Sequence, residues 1–224
     1  PEPQTGSRTM EIFVLITPDG ERTFVSRGVT AFITPEMVQE ETLNKSNWLL
    51  LEGYTLLDQT SAVTTALELA PRCHCKVAFT ISADFIIHAQ HSFIMETILP
   101  KIDLFIANEE EFELLQEYIA KLPEEKRTAL EAKLNSIDLL VTKSEKGASL
   151  YSKGVETFVE TTPKKMLDAT GAGDAFAAGF FCKYLEGDAQ GGLELGHTIA
   201  GEVISQLGAR LKNWPSVNVK QKTA

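Results

Sequence analysis

The sequence predicts a layered α/β domain built on a mostly parallel central sheet. Three observations predict it. Short continuous apolar runs, "NWLLLE" (47–52), "KVAFTI" (76–81), "DLFIAN" (103–108) and "DLLVT" (138–142), have the composition of strands covered on both faces. Helical segments separate them, and regular strand–helix alternation is the pattern of a parallel sheet with crossover helices. The length, 224 residues, suits one domain or one domain with a small appendage. A chain of that size buries about 70% of its unfolded surface, so no disulfide staple is required.

Each element has its own signal. "EIFVLI" (11–16) and "RTFVSR" (22–27) read as two strands joined by the turn "TPDGE" (17–21), a hairpin. Thr34 before Pro35 is a good N-cap and first helical residue, opening a helix to about Asn44. After the strand at 47–52, Asp58 is placed to cap the helix "QTSAVTTALELA" (59–70). The strand at 76–81 leads to a helix over 88–99. The strand at 103–108 leads to the helix "EEEFELLQEYIA" (109–120), and Pro123 opens another, "PEEKRTALEAKL". The strand at 138–142 is followed by a second hairpin, "ASLYS" and "VETFVE", around Lys153-Gly154. Two helices close the pattern, at about 173–185 and 190–207. The organisation expected is a hairpin over 1–30, an α/β domain over 31–212 and a loosely held tail over 213–224. The chain opens on a loop and a hairpin where a central strand is usual, so the beginning is expected to be missing.

Composition excludes several classes. A net charge of -10 disfavours nucleic acid, which needs clustered Lys and Arg, but leaves room for a locally positive site. No stretch is long and apolar enough to span a bilayer. The polar "PEPQTGSRTM" has no apolar targeting core, and the cytoplasm is the default compartment. Cys73 and Cys75 flank His74 without a second ligand cluster, so they read as packing thiols and not a metal site. His88 and His91 fall on a surface helix and carry no assigned role. Phe176, Phe180 and Phe181 read as core packing.

The chemistry concentrates in "LDATGAGDAFAAGFF" (167–181). Asp168 to Gly173 form a tight turn, and Asp174 to Tyr184 read as a helix. Gly171 and Gly173 let a ligand approach the main chain closely. The first amides of a helix have no intrahelical partner and sit at the positive end of its dipole, which makes an anion site suited to phosphate. A carboxylate at such a site is awkward for binding alone, because like charges repel. It makes sense if Asp174 takes a proton from a hydroxyl that attacks phosphorus. On spacing alone the alternative stays open that Asp174 is a plain first-turn acid and the glycines serve helix packing. Other phosphate motifs fail. Phe176 stands where G-x-G-x-x-G needs its third glycine, G-x-x-x-x-G-K-[ST] is absent, and so is the protein-kinase catalytic set.

"DATGAGDAFAAGFF" (168–181) is similar to the C-terminal signature of the ribokinase-like, or PfkB-type, carbohydrate kinases. "NEEEFELL" (108–115) resembles the family's Asn-x-x-Glu segment, and "VTKSEKGASLY" (141–151) resembles its nucleotide-binding strand and turn. "GHTIAGEVISQLGAR" (196–210), "TPDGERTF" and "LEGY" resemble its adenosine-kinase-like branch. The resemblance implies a ribokinase-like layered fold with a small β lid, of which the 1–30 hairpin is a piece. It implies ATP and Mg²⁺ as cofactors, with K⁺ as a further one. Asp174 becomes the general base, and the amides of Ala172, Gly173 and Asp174, with Gly171, become the anion hole. Asn108 and Glu111 order Mg²⁺ and its waters. From the residues alone those two are a strand-end turn and an exposed helix acid. Thr142 and Gly147 line the nucleotide, or form an ordinary β-turn. His197 meets the adenine, or is structural. Asp168 and Thr170 hold a monovalent cation, or Asp168 caps the turn.

Two departures stand out. Ser144 occupies a position that is commonly glycine in the family. The family's N-terminal third, with its Gly-Gly substrate motif, is not matched. The function expected is ATP-dependent phosphorylation of a sugar or nucleoside hydroxyl. The alternatives are a non-catalytic nucleotide- or partner-binding derivative and a phosphate-binding α/β protein of unrelated function. The partner expected is a small-molecule sugar or nucleoside, with no nucleic acid and no membrane. Oligomeric state stays open, though lid hairpins can pair subunits, which allows a homodimer.

Overall fold

The computed structural model describes residues 11–18, 22–28 and 32–211. The 17–21 turn lies partly outside these residues, and the 213–224 tail entirely so. The chain divides into two compact units. One consists chiefly of Thr30–Ser144 and Ala148–Glu156; the other is Arg8–Val29, Glu145–Gly147 and Thr157–Ala224.

The first unit carries the sheet. Strands β3 (Trp48–Glu52), β4 (Lys76–Thr80), β5 (Leu104–Asn108) and β6 (Asp138–Thr142) lie side by side and parallel. β7 (Ala148–Ser152) runs antiparallel to β6, and β8 (Val155–Val159) completes the six-stranded order, passing into the second unit. The runs of β4, β5 and β6 are buried as their composition demands: Val77, Ala78, Phe79, Leu104, Phe105, Leu140 and Val141 have little or no exposure. The run of β3, expected to be covered on both faces, is not: β3 stands at the end of the strand order, Leu50 is exposed and only Leu51 is buried. Phe79 faces Phe105 in register, their ring centroids 6.1 Å apart. Each such side chain contributes about 1.5–3 kcal/mol by leaving water. Helix α2 (Thr60–Arg72) buries Ala62, Val63, Ala66, Leu67 and Ala70, the stripe of an amphipathic helix laid on a sheet. Helices α3 (Asp84–Phe93), α4 (Glu109–Ala120) and α5 (Glu124–Ser136) complete the unit.

Several boundaries differ from the sequence reading. The single helix expected from Pro35 to Asn44 is a 3₁₀ turn, Pro35–Met37, then a short helix α1, Glu40–Asn44. Thr34 makes no side-chain cap, and extended backbone at Val38 and Gln39 separates the two. Gln59, not Asp58, occupies the cap position of α2, and it too makes no side-chain cap bond. The helix expected over 88–99 starts earlier, at Asp84, and its backbone leaves helical geometry at Gln90. It then passes into a π turn, Ile94–Ile98, in which Ile94, Met95 and Ile98 are buried. The second hairpin turns at Lys153 and Gly154, φ 51° and 79°, the left-handed pair that suits tightly twisted strands.

In the second unit, β1 (Glu11–Ile16) pairs antiparallel with β2 (Arg22–Arg27) in unbroken register. All six β1 residues are exposed. Helices α6 (Ala172–Tyr184) and α7 (Ala189–Ile204) pack closely, with Gly179 against the backbone of Leu195 and Gly196. Phe176 and Phe180 are buried there as expected, while Phe181 is half-buried. Among the described residues no helix is long and apolar enough to cross a membrane.

Candidate active site

The mouth of α6 in the second unit is built from the 167–174 turn. Leu167 and Asp168 donate their amides to the Ile204 carbonyl at the end of α7, at 2.7 and 3.3 Å. Asp168 is 2% exposed. Its Oδ1 accepts from the Thr170 amide at 2.9 Å and its Oδ2 from the Gly208 amide at 2.8 Å. The carboxylate therefore clasps two loops at once. Thr170 Oγ1 is buried and has no hydrogen-bond partner among the described residues, a costly state for a hydroxyl unless a ligand meets it.

Gly171 caps the helix in the left-handed region, φ 78° and ψ 8°. A side chain there would also strike Ala209, whose Cβ lies 2.8 Å from where a Cβ would stand. The helix begins at Ala172, two residues before the sequence suggested. The Ala172 amide bends back to the Ala169 carbonyl at 3.2 Å, and the Ala175 amide bonds Gly171 O at 2.9 Å. No described acceptor meets the amides of Gly171, Gly173 and Asp174. A Cβ on Gly173 would find nothing within 4 Å among the described residues. Asp174 is exposed in the first turn, outside the packed core.

The other second-unit candidates surround the Val159 carbonyl. Gly147, at φ 130°, lies so close that a Cβ would stand 2.3 Å from Val159 O and 3.0 Å from the Phe158 ring. His197, on α7, lies with Nε2 3.2 Å from the same oxygen and its ring edge-on to Phe176, centroids 5.0 Å apart. A carbonyl only accepts, so Nε2 carries the proton and Nδ1 is left as an acceptor. Burial pulls the His197 pKa down, partly opposed by the Val159 hydrogen bond.

In the first unit, Asn108 and Thr142 sit directly opposite one another at the carboxyl ends of β5 and β6. Parallel sheets hold their ligands at that edge. Asn108 caps α4 in a capping box: its Oδ1 takes the Glu111 amide at 2.7 Å, and its own amide donates to Glu111 Oε2 at 2.9 Å. Glu111 is 6% exposed, not the surface acid that the helix start suggested. Burial pushes its pKa up, the Asn108 amide pulls against it, and Asp84 and Glu110 push it further up. Ser144, at the glycine-like position, adopts φ 52°. Among the described residues no group of three or more His, Cys, Asp and Glu could hold a metal by itself.

Sequence reasoning missed the Gly208 amide on Asp168, because forty residues separate them. It also missed Lys143, which the structure ties to Ser149 and Glu156.

Comparison with known proteins supports the fold. The chain matches the family description "pfkB family carbohydrate kinase" over residues 2–216. It is 32% identical over 168 residues to 5-dehydro-2-deoxygluconokinase of Mesomycoplasma hyopneumoniae, covering 70% of this chain and 49% of the relative. The chain spans about half the length of the curated relatives it matches. The crystal structure of adenosine kinase from Sinorhizobium meliloti superposes with a TM-score of 0.77 at 27% identity, over 94% of this chain and 64% of that one. A fructokinase from Vibrio cholerae, in a form bound to fructose, ADP and calcium ion, shares the fold, with a TM-score of 0.74 at 20% identity, over 92% of this chain and 70% of that one. A match running along nearly the whole chain, on a mostly parallel sheet and a glycine turn of this shape, places the chain in the ribokinase-like pfkB family of carbohydrate kinases.

Proposed function

We propose that this chain transfers the γ-phosphoryl group of ATP to a hydroxymethyl oxygen of a sugar or a nucleoside. The observation that carries the reading is the mouth of α6. Three amides with no acceptor among the described residues, at 171, 173 and 174, share a turn with an exposed carboxylate. In the step, the acceptor hydroxyl gives its proton to the Asp174 carboxylate. Its oxygen forms a bond to the γ-phosphorus as the bond to the β–γ bridging oxygen breaks, and ADP leaves. The amides receive charge that develops on the transferring group, without reorganising to do so. The Ala172 amide, turned to Ala169 O, is the weakest member of the hole.

Divalent and monovalent cations fit different residues. Mg²⁺ takes one or two carboxylates together with waters and phosphate oxygens. Glu111 suits that need, since its Oε2 is held by the capping box while Oε1 lies outside it. When bound, Mg²⁺ neutralises phosphate charge. Asn108 and Glu111 would hold it. The buried Asp168 carboxylate and the orphaned Thr170 hydroxyl are hard oxygen donors that fit K⁺. Thr142 and Gly147 are assigned to the nucleotide. His197 is left to meet the base through Nδ1, because Nε2 is engaged with Val159.

Support for the substrate class comes from the relatives, which include a kinase of a keto sugar acid and a kinase of adenosine. The test is ADP release across a panel of sugars and nucleosides, beside ATP binding measured by calorimetry. Binding and turnover in the parent chain, with binding alone in Asp174→Asn, supports the reading. ATP binding without ADP release for any acceptor favours a nucleotide-binding role. No response to ATP with Mg²⁺ refutes both.

A further inference from the structure

We propose that Lys143 is a positioning residue for the nucleotide, tying together the two ends of the 144–147 turn through a bridge to β7 and β8. This rests on the reading that the turn meets ATP, and it adds a residue to that site.

The bridge is directional. Lys143 leaves β6 immediately after Thr142, and its Nζ donates to Ser149 Oγ on β7 at 2.7 Å. Ser149 is wholly buried, and its hydroxyl donates onward to Glu156 Oε1 on β8 at 2.7 Å. Lys143 Nζ also lies 3.6 Å from that carboxylate oxygen and 3.4 Å from the Tyr151 hydroxyl. An ammonium only donates and a carboxylate only accepts, so the serine hydroxyl between them has one arrangement that satisfies all three. The Ser149 and Tyr151 hydrogen bonds, in that order, hold the Glu156 carboxyl below its usual range.

The turn needs such a brace. The β6–β7 ladder ends at the Thr142–Ala148 pair, so 143–147 has no strand pairing of its own. Within it, Ser144 sits at φ 52° and Gly147 at φ 130°. A non-glycine residue in the left-handed region persists only where its surroundings enforce it. Lys143 enters the turn and Ser149 leaves it, so their bond fixes the separation of its ends. Because the ammonium faces oxygens of the sheet, the residue acts through the backbone of the turn and not by touching phosphate.

The experiment is ATP–Mg²⁺ titration by calorimetry of the full chain, with thermal midpoints measured in parallel, for the parent, Lys143→Met, Lys143→Arg and Ser149→Ala. Lys143→Met is expected to weaken ATP binding by about tenfold or more at temperatures where it remains folded. Lys143→Arg restores part of the loss, because Arg still donates to both oxygens. A role in stability alone would lower the midpoint and leave the dissociation constant unchanged. A folded Lys143→Met that binds ATP as the parent does overturns the proposal while leaving the nucleotide site standing. Should Lys143→Met fail to fold, Ser149→Ala, which removes the bridging hydroxyl, is judged by the same criterion. A parent chain that does not bind ATP overturns the nucleotide reading itself, and this one with it.

Discussion

Two glycines in one turn, changed one at a time to alanine, should give opposite results. Gly171 sits at φ 78°, and an added Cβ would stand 2.8 Å from Ala209 Cβ and 3.0 Å from Ala209 O. The left-handed conformation costs an ordinary residue about 1–2 kcal/mol, and overpacking adds about 1–3 kcal/mol. Gly171→Ala is therefore expected to lose about 2–5 kcal/mol, a large part of a typical total of about 5–15 kcal/mol. Gly173 lies inside α6 with helical backbone and nothing within 4 Å of its missing Cβ. Alanine there is expected to stabilise by about 0.5–1 kcal/mol. The same methyl adds bulk in the turn where the phosphate is proposed to sit, and should weaken ATP binding by about tenfold or more. Urea unfolding reads the first effect as a shift of midpoint at constant slope, and calorimetry reads the second. A Gly173→Ala chain that binds ATP as tightly as the parent refutes the placement of phosphate at these amides. A Gly171→Ala chain of parental stability refutes the geometry of the turn.

Three other outcomes are expected. Asp168→Ala strips the acceptor from the Thr170 and Gly208 amides, so unfolding midpoints should show a loss of about 2–4 kcal/mol from two orphaned donors; a loss within error of zero would mean that the clasp is incidental. Glu111 binds its proton more tightly folded than unfolded, so its contribution to stability falls as pH rises above the ordinary carboxylate value; Glu111→Gln, which preserves the capping box, should flatten that slope, and an unchanged slope assigns it elsewhere. His197 binds its proton less tightly folded, so stability should fall as pH drops below about 6.5, the ordinary histidine value; His197→Phe should remove that decline, which urea midpoints across pH 5–8 would detect.

The sheet was legible because its strands are continuous apolar runs, and "KVAFTI" and "DLFIAN" have no competing helical period. Helix ends were less so. Asp58 is a better capping residue by type than Gln59, yet α2 starts where tertiary packing of Ala62 and Val63 places it. The π turn at Ile94–Ile98 leaves no mark in composition, since an apolar run of this kind reads equally as regular helix. At the candidate site, the glycine turn was readable because the left-handed backbone angle of Gly171 restricts residue choice. The clasp from Asp168 to Gly208 was not, because a backbone amide donor looks the same at every position. Ser149 and Tyr151 share one face of β7 by alternation, but nothing in the sequence names Lys143 as the partner of both.

The central claim is that the residue 174 carboxylate is the base of a phosphoryl transfer. Its most direct test pairs two numbers for Asp174→Asn, the ATP dissociation constant and the rate of ADP formation with the best acceptor. We expect the first to match the parent and the second to fall about 10²–10⁴-fold, the usual contribution of a positioned base. Turnover close to that of the parent, with the amide in place of the acid, would contradict it.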